Sequence, residues 1–293
     1  MLKGRILKGI GGFYYIDTAK GLYECKARGI FRKKKLTPLV GDIVDIQVID
    51  EENKKAVIEN IYERTTELIR PPIANVSKAV IVFSVTDPKP NFSLLDRFIV
   101  LSEKEGLDIA ICITKVDLDD NDEFSKIKDV YKDLYKVIPV SNKLGLGIDE
   151  VKKELKGHIS VFAGPSGVGK SSLLNSIDSN LNLQVGQISE KVKRGKHTTR
   201  HAQLIKLEEE CFVADTPGFS SLLLSEIDTD ELKEYFIEFK DLAFECKFYK
   251  NCLHENEPGC RVKEALDEGR ISNERYSSYI QLLNEIKDTK RRY

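Results

Sequence analysis

Gly164-Pro165-Ser166-Gly167-Val168-Gly169-Lys170-Ser171 has the spacing of a phosphate-binding loop. In such a loop the backbone N–H groups cradle phosphates, the lysine reaches the β- and γ-phosphates, and the serine hydroxyl holds Mg²⁺. The context agrees: an apolar strand at Ile159–Ala163 leads in, and Ser171-Ser172-Leu173-Leu174-Asn175 starts a helix whose N-terminus favours anions. Gly164, Pro165, Ser166, Gly167, Val168, Gly169, Lys170, Ser171 and Ser172 are therefore the expected nucleotide cradle. The base-reading box normally follows such a loop. Here the sole candidate, Thr114-Lys115-Val116-Asp117, precedes it. The motifs are present in rotated order, so the chain reads as a circularly permuted GTPase.

The base box predicts that Asp117 accepts from the N1–H and exocyclic amine of guanine while the Lys115 stem lies along the ring. Thr114 stands where Asn is usual, which removes an amide. Ser141-Asn142-Lys143, followed by Gly145-Leu146-Gly147-Ile148, fits a second base-contacting loop, and Ser141 and Asn142 join the expected site. These residues argue against an ATPase or metabolic kinase.

Downstream, Asp215-Thr216-Pro217-Gly218 ends an apolar strand. Asp215 is placed for the Mg²⁺ shell, and the Gly218 N–H for the γ-phosphate. Between the two motifs, Lys191 to Arg200 is basic and glycine-containing, as a switch segment requires, with Thr198 and Thr199 both available to close on Mg²⁺. From 191 to 206 there are Lys and Arg but no acid, so this stretch is also a candidate for RNA phosphate. Phe219 follows Gly218, where Ras-like enzymes place the glutamine that orients water. An apolar ring cannot do that, and His197 is the nearest replacement.

Length and composition frame these motifs. The chain has 293 residues, enough for two or three domains. Apolar residues make up 41% and the formal net charge is −1, so any nucleic-acid surface is local. No apolar run is long enough to span a bilayer, and the first residues pass straight into strand-like sequence without a signal-peptide core. The chain reads as cytosolic, with no membrane partner.

Residues 1–66 alternate as about five short strands, punctuated by glycines, which suits a small closed barrel of the OB type. The surplus of cations there gathers at Arg28 and Arg32-Lys33-Lys34-Lys35, and on such a barrel it predicts RNA binding. From 67 to 221 the near-continuous apolar strands Ala79–Val85, Ile109–Thr114, Val137–Val140, Ile159–Ala163 and Cys211–Asp215 predict a covered parallel sheet. Helical periodicity lies between them: Leu94, Phe98 and Leu101 share a face, as do Leu95 and Ile99. Asp87 to Asn91 reads as a turn and helix start. Residues 222–293 read as helical, from Ile227 to Phe239 and from Tyr276 to Ile286, around a cysteine-rich knot. Lys290-Arg291-Arg292 is a further candidate phosphate contact.

Cys25, Cys112 and Cys211 fall inside predicted strands and are expected to pack as small hydrophobes. Cys246, Cys252, His254 and Cys260 are different: three thiols and an imidazole, C-x5-C-x-H-x5-C, make a closed Zn²⁺ set with no open position.

Permuted order, an OB-like barrel and a Cys₃His knot together resemble the RsgA (YjeQ or YloQ) family. The likeness runs nearly end to end, through Arg28-Gly29-Ile30-Phe31-Arg32-Lys33, Pro38-Leu39-Val40-Gly41-Asp42, Leu95-Asp96-Arg97-Phe98, Gly195-Lys196-His197-Thr198-Thr199 and Glu257-Pro258-Gly259-Cys260. The resemblance implies a late-acting assembly factor of the small ribosomal subunit that binds its rRNA, hydrolyses GTP to GDP while bound, and leaves. It also implies one Zn²⁺ on the four ligands named, Mg²⁺ with GTP, Thr199 as the Mg²⁺ threonine, and a catalytic role for His197. Lys170, Thr199, Asp215 and Gly218 complete the expected catalytic set. The protein is expected to act as a monomer. Thr114 is the main departure from the family pattern.

Overall fold

A computed structural model describes residues 1–33, 36–69, 71–181, 183, 202–215, 224 and 226–291. Strands β1 (Leu2–Ile10), β2 (Phe13–Thr18), β3 (Gly21–Ala27), β4 (Ile43–Asp50) and β5 (Lys55–Ile61) close a barrel in the order β1-β2-β3-β5-β4. Alternation drives the closure: Ile6, Ile16, Tyr23, Val44, Ile46 and Ile58 all point inward and lose all solvent contact. β1 serves two neighbours, pairing with β4 through Leu2–Arg5 and with β2 through Gly4–Ile10. At the crossing a Cβ on Gly4 would meet the Asp17 carbonyl at 2.4 Å, so only glycine fits.

The basic run after β3 begins as a helix, and Lys34 and Lys35 lie outside the described residues. Gly29–Lys33 forms a short helix, α1, which drops Phe31 into the barrel core. Arg28, counted above among the cations available to RNA, is paired with Glu59 at 2.5 Å. Lys33 is exposed.

A hairpin with no counterpart among the expected elements, β6 (Glu67–Ile69) with β7 (Pro72–Ala74), joins the barrel to the rest. Arg64 forks onto fully buried Asp42, Nε to Oδ1 at 2.7 Å and Nη2 to Oδ2 at 2.8 Å. Gly41, at φ +95°, lies so close to Ala74 that an added Cβ would be 2.0 Å from its carbonyl oxygen. Barrel residues, Ile73, and sheet residues such as Val161, Leu204 and Phe212 form one continuous core.

The sheet contains β8 (Lys78–Ser84), β9 (Asp108–Thr114), β10 (Lys136–Pro139), β11 (Ile159–Ala163), β12 (Leu204–Glu208) and β13 (Cys211–Ala214), ordered β10-β9-β8-β11-β13-β12. All neighbours are parallel except β12 and β13. Every residue of β8 and β11 is buried, as covered central strands require. β12 is absent from the expected strands, and its alternating, half-exposed sequence marks an edge. The connecting helices are α2 (Phe92–Lys104), α3 (Glu123–Tyr131), α4 (Ile148–Leu155) and α5 (Lys170–Ile177). Asn91 caps α2 by accepting from the Leu94 N–H at 2.9 Å. That helix is buried on two sides: Leu95, Phe98 and Ile99 face the sheet, and Val100 and Leu101 face the C-terminal region.

The C-terminal region holds α6 (Lys240–Phe244), α7 (Arg261–Asp267) and α8 (Asn273–Arg291). The helix expected over 227–239 is instead two short 3₁₀ turns, Leu232–Tyr235 and Ile237–Phe239, separated by Phe236 in an extended conformation. The break turns the Phe236 ring inward, edge-on to Tyr279 at 5.2 Å and under the Arg275 guanidinium at 4.5 Å. Lys290, expected to be available to phosphate, is paired with Asp228. Among the described residues no helix is long and apolar enough to cross a membrane.

Arg275 pins this region to the sheet domain. It is 1% exposed, meets fully buried Asp96 of α2 at 2.6 Å, and grips both oxygens of Glu238 at 2.7 and 2.8 Å. Tyr131 of α3 donates to the same Asp96 oxygen at 2.8 Å. Removing one partner of such a pair leaves a buried charge uncompensated. We therefore expect Arg275→Met to destabilise the packing of α8 on α2 by about 3–5 kcal/mol. Chemical denaturation with hydrogen exchange on the α2 and α8 peptides measures this, and native-like protection of both in the variant would contradict it.

Candidate nucleotide site and metal centre

The loop after β11 leaves the sheet directly over β8. Gly164, at φ +138°, passes so close that a Cβ would lie 2.1 Å from the Val82 carbonyl oxygen. Val168 is fully buried and anchors the loop in the core, while Gly169, at φ +93°, turns it into α5. The first turn of α5 then supplies unpaired backbone N–H groups beside Lys170, Ser171 and Ser172. The Lys170 ammonium folds over its own loop, donating to the Gly164 and Pro165 carbonyls at 2.8 and 2.6 Å. Burial lowers its pKa from 10.5 to about 8.

The base box meets the loop from the opposite side of the switch in strand order, between β8 and β11, where doubly wound folds bind ligands. Thr114, at the end of β9, is fully buried. Its one hydroxyl hydrogen lies within reach of the Val168 carbonyl at 2.5 Å and the Phe83 carbonyl at 3.1 Å, so this side chain ties the base box to the phosphate loop. Lys115 adopts a left-handed conformation, φ +61°, and donates to the Asp87 carbonyl. Asp117 accepts from the Ser141 hydroxyl at 2.6 Å through one oxygen. Ser141 in turn accepts from the Leu144 N–H at 3.2 Å, and Gly147 lies against Pro139 where a Cβ would be 2.0 Å from the carbonyl. Asn142 packs over Gly169.

Asp87 to Asn91, legible in the sequence only as a turn, forms a wall of this site. Ser84 donates to the Pro88 carbonyl at 3.0 Å, Lys115 reaches Asp87, and a Cβ on Gly167 would touch Pro88 at 3.7 Å. The signal was present in register, since Ser84 pairs with Thr114. Asp215 follows β13, which is the hydrogen-bonded neighbour of β11, and its N–H donates to the Gln203 carbonyl at 2.8 Å. The strand ends thus gather Asp215, Lys170 and Ser171 on one edge of the sheet. His197, Thr198, Thr199, Gly218 and Phe219 lie outside the described residues.

The four metal-ligand candidates come together. Cys246, Cys252, His254 and Cys260 are all buried, with ligand atoms within 4.8 Å of one another. His254 Nδ1 is 3.7, 3.4 and 3.4 Å from the three sulfurs, and Cys246 and Cys260 Sγ are 4.0 Å apart. A tetrahedron with metal–sulfur bonds of about 2.3 Å has sulfur–sulfur edges of about 3.8 Å. The donor set and its spacing fit a closed four-ligand ion. Burial, with Lys233 nearby, pushes His254 down to about 4, so the imidazole is the neutral ligand form. Burial also pushes the Cys252 thiol up to about 12, which a bound cation would reverse. The knot is held from outside by hydrogen bonds to its carbonyls: Tyr276 to His254 at 2.7 Å, Tyr279 to Leu253 at 2.8 Å, and buried Lys233 to Cys252 at 3.1 Å. No sequence pattern pointed to Lys233.

A family model described as RsgA GTPase matches residues 61–225, and one described as the RsgA N-terminal domain matches 3–58. The chain belongs to the RsgA GTPase family. A protein of Alkaliphilus metalliredigens called small ribosomal subunit biogenesis GTPase RsgA is 51% identical, over 99% of this chain and all of that one. The protein of that name from Caldanaerobacter subterraneus is 47% identical over 100% and 98%. Among solved structures, YjeQ from Thermotoga maritima is similar with a TM-score of 0.85 at 38% identity, covering 97% of this chain and 98% of that one. YloQ, described as a circularly permuted GTPase, is similar with a TM-score of 0.82 at 41% identity, covering 100% and 98%. Membership in the RsgA family makes this chain a GTP hydrolase, and its strand order agrees: β8 to β10 precede the phosphate-loop strand β11, and β8 pairs with it directly.

Two expected outcomes follow for this RsgA-family GTPase. Protein purified without chelators should carry about one metal ion per chain. Cys252→Ser should lose it and open residues 244–291 to protease while guanine-nucleotide binding persists; well under one equivalent in the parent contradicts the centre. The second concerns Lys170. Phosphate beside the ammonium raises its pKa, so binding takes up a proton once the free protein has begun to lose it. GDP affinity should be flat below pH 8 and fall above it, by up to about tenfold per pH unit. Calorimetry in buffers of different ionisation enthalpy reads the proton uptake, and none at pH 9 would remove Lys170 from the phosphates.

Proposed function

We propose that the chain is a cytoplasmic, monomeric GTPase acting late in assembly of the small ribosomal subunit. Residues 1–66 form the RNA-binding barrel, 67–221 the nucleotide domain, and 222–293 a helical domain built on one structural Zn²⁺. The carrying observation is the joint presence, in one chain matched end to end by relatives named for small-subunit biogenesis, of a closed barrel, the permuted nucleotide fold and the buried Cys₃His cluster. Three thiols and an imidazole in a closed set favour Zn²⁺ over harder cations, which prefer oxygen.

In this reading GTP lies across the β8–β11 switch point. Asp117 receives the base, with its carboxylate oriented by Ser141. Lys115 lines the ring, and Thr114, Ser141 and Asn142 hold the loops that face it. Gly164 to Ser172 wrap the phosphates. Mg²⁺ would neutralise the charge that develops on the phosphoryl oxygens, with Ser171, Thr199 and Asp215 as the residues to hold it. Ser171 lies in the first turn of α5, which follows β11, and Asp215 follows the adjacent strand β13, an arrangement that supports these two as donors. Gly218 offers its N–H to the γ-phosphate, and His197 positions water in place of the missing glutamine.

Docking is expected to run through Lys33 and the neighbouring basic residues, with rRNA phosphates as the contact. Turnover of GTP should therefore be slow alone and rise about 10²-fold with purified small subunits, since ordering water and charge is most of phosphoryl-transfer catalysis. The rise should fade as salt increases. His197→Ala should keep GDP binding and subunit binding but lose the stimulated rate. Equal stimulation of that variant removes the histidine from catalysis, and no stimulation of the parent removes the ribosomal reading.

A further inference from the structure

The edge of β1 that faces away from β2 leads from the barrel into the sheet. Leu2 to Arg5 pair with β4. Ile6 then donates to the Asp42 carbonyl at 2.9 Å and accepts from the Gly41 N–H at 2.8 Å, and Lys8 bridges antiparallel to Gln203. Gln203 stands just ahead of β12, and the register of that strand on β13, Leu204 opposite Ala214, sets it across from Asp215. The Asp215 N–H donates to the Gln203 carbonyl at 2.8 Å. A single residue of backbone therefore lies between the barrel and the aspartate proposed for Mg²⁺.

That route matters because the central strands stop short of the aspartate. The ladder of β13 on β11 covers Phe212 and Val213, two residues before Asp215. On its other side β13 has β12, an edge strand whose ladder slips between Lys206 and Glu208. The N-terminal end of β12 is in turn braced by β1 at Gln203.

Arg5 of β1 fastens this hairpin to the barrel. Its side chain is 16% exposed, and Nη1 donates to the Gly41 carbonyl at 3.1 Å. The guanidinium lies over the Phe212 ring, 5.2 Å from its centroid, and Nη2 meets Glu210 at 3.3 Å in the turn between β12 and β13. Phe212 is buried in the core that barrel and sheet share, three residues ahead of Asp215. Glu210 is exposed, so water screens that ion pair. The directional hold comes from the flat cation over a buried ring and from the carbonyl it grips, a pairing that suits a guanidinium.

We propose that Arg5 is a positioning residue for Asp215: it clamps the β12–β13 hairpin to β1, so that the barrel completes the Mg²⁺ site of the nucleotide domain. The inference rests on the reading of Asp215 as an Mg²⁺ residue. Arg5 acts through the strand that ends at the aspartate, as the outer partners of metal ligands do. The barrel is then part of the catalytic apparatus as well as a surface for docking.

The test is Mn²⁺ binding, read by EPR as a stand-in for Mg²⁺, to the full chain carrying a non-hydrolysable GTP analogue. Arg5→Gln should bind Mn²⁺ about tenfold more weakly than the parent, the lower end for a group that orients a metal ligand. Its affinity for GDP without added divalent metal should equal the parent's, a split that general loosening of the fold would not produce. Hydrogen exchange should quicken across residues 203–215 and stay at the parent's rate across 159–177. Should Arg5→Gln fail to bind metal-free GDP, Phe212→Leu takes its place with the same expectation, since it removes the ring and keeps an apolar filling. Asp215→Asn is the control. Parental Mn²⁺ affinity in Arg5→Gln beside a loss in Asp215→Asn overturns the role of Arg5 alone. Parental affinity in Asp215→Asn overturns the metal reading of that residue and this inference with it.

Discussion

The parallel pairing of β8 with β11 is the contact on which the rest depends. Ser160 opposes Lys78 and Ala163 opposes Ile81, so two strands distant in sequence run side by side through the centre of the sheet. Both are wholly buried, and their backbone groups have no alternative partner in water. Because β8 also pairs with β9, this ladder delivers Thr114 to the phosphate loop. It also brings the loop itself so close to Val82 that Gly164 admits no side chain. A hydrogen-bond ladder is indifferent to which of its strands comes first along the chain. That is why the motif order can be rotated while the site survives.

Permutation moves the cost to the connections. The barrel must enter at β8, and the structure secures this junction with Arg64 forked on Asp42, the β6–β7 hairpin, and the close contact of Gly41 with Ala74. The C-terminal region must return to α2, and there Asp96, Arg275 and Glu238 share a buried charge network while Arg97 meets Glu285 at 2.7 Å. Buried charges contribute little net stability over an apolar filling, yet they punish misalignment, since a shifted partner leaves a charge alone in low dielectric. Both junctions use such a pair. The orientation of three units around one sheet is thereby specified by geometry more than by area.

The barrel is not a remote attachment. Lys8 of β1 forms an isolated antiparallel bridge with Gln203, whose carbonyl receives the Asp215 N–H, and Lys206 of β12 pairs with Asp17 of β2 at 2.6 Å. The surface proposed for RNA and the strand end proposed for Mg²⁺ are therefore joined through backbone hydrogen bonds and a shared core.

The sequence alone determined the elements whose physics is local. Period-two alternation marked the barrel strands, apolar runs marked β8, β9, β10, β11 and β13, glycine spacing marked the phosphate loop, and cysteine density marked the metal cluster. What the tertiary structure decided depends on partners far along the chain. Phe236 breaks an expected helix because Tyr279 and Arg275 await its ring. Arg28 is paired because β5 lies beside β3 and brings Glu59 to its guanidinium. Asp87 and Pro88 became a wall of the nucleotide site because β8 ends beside β9 and β11, and Thr114 became a tether because its hydroxyl found a carbonyl of the phosphate loop. Periodicity and spacing record what a residue prefers among its neighbours in sequence; only folding shows which distant carbonyl or carboxylate it will meet.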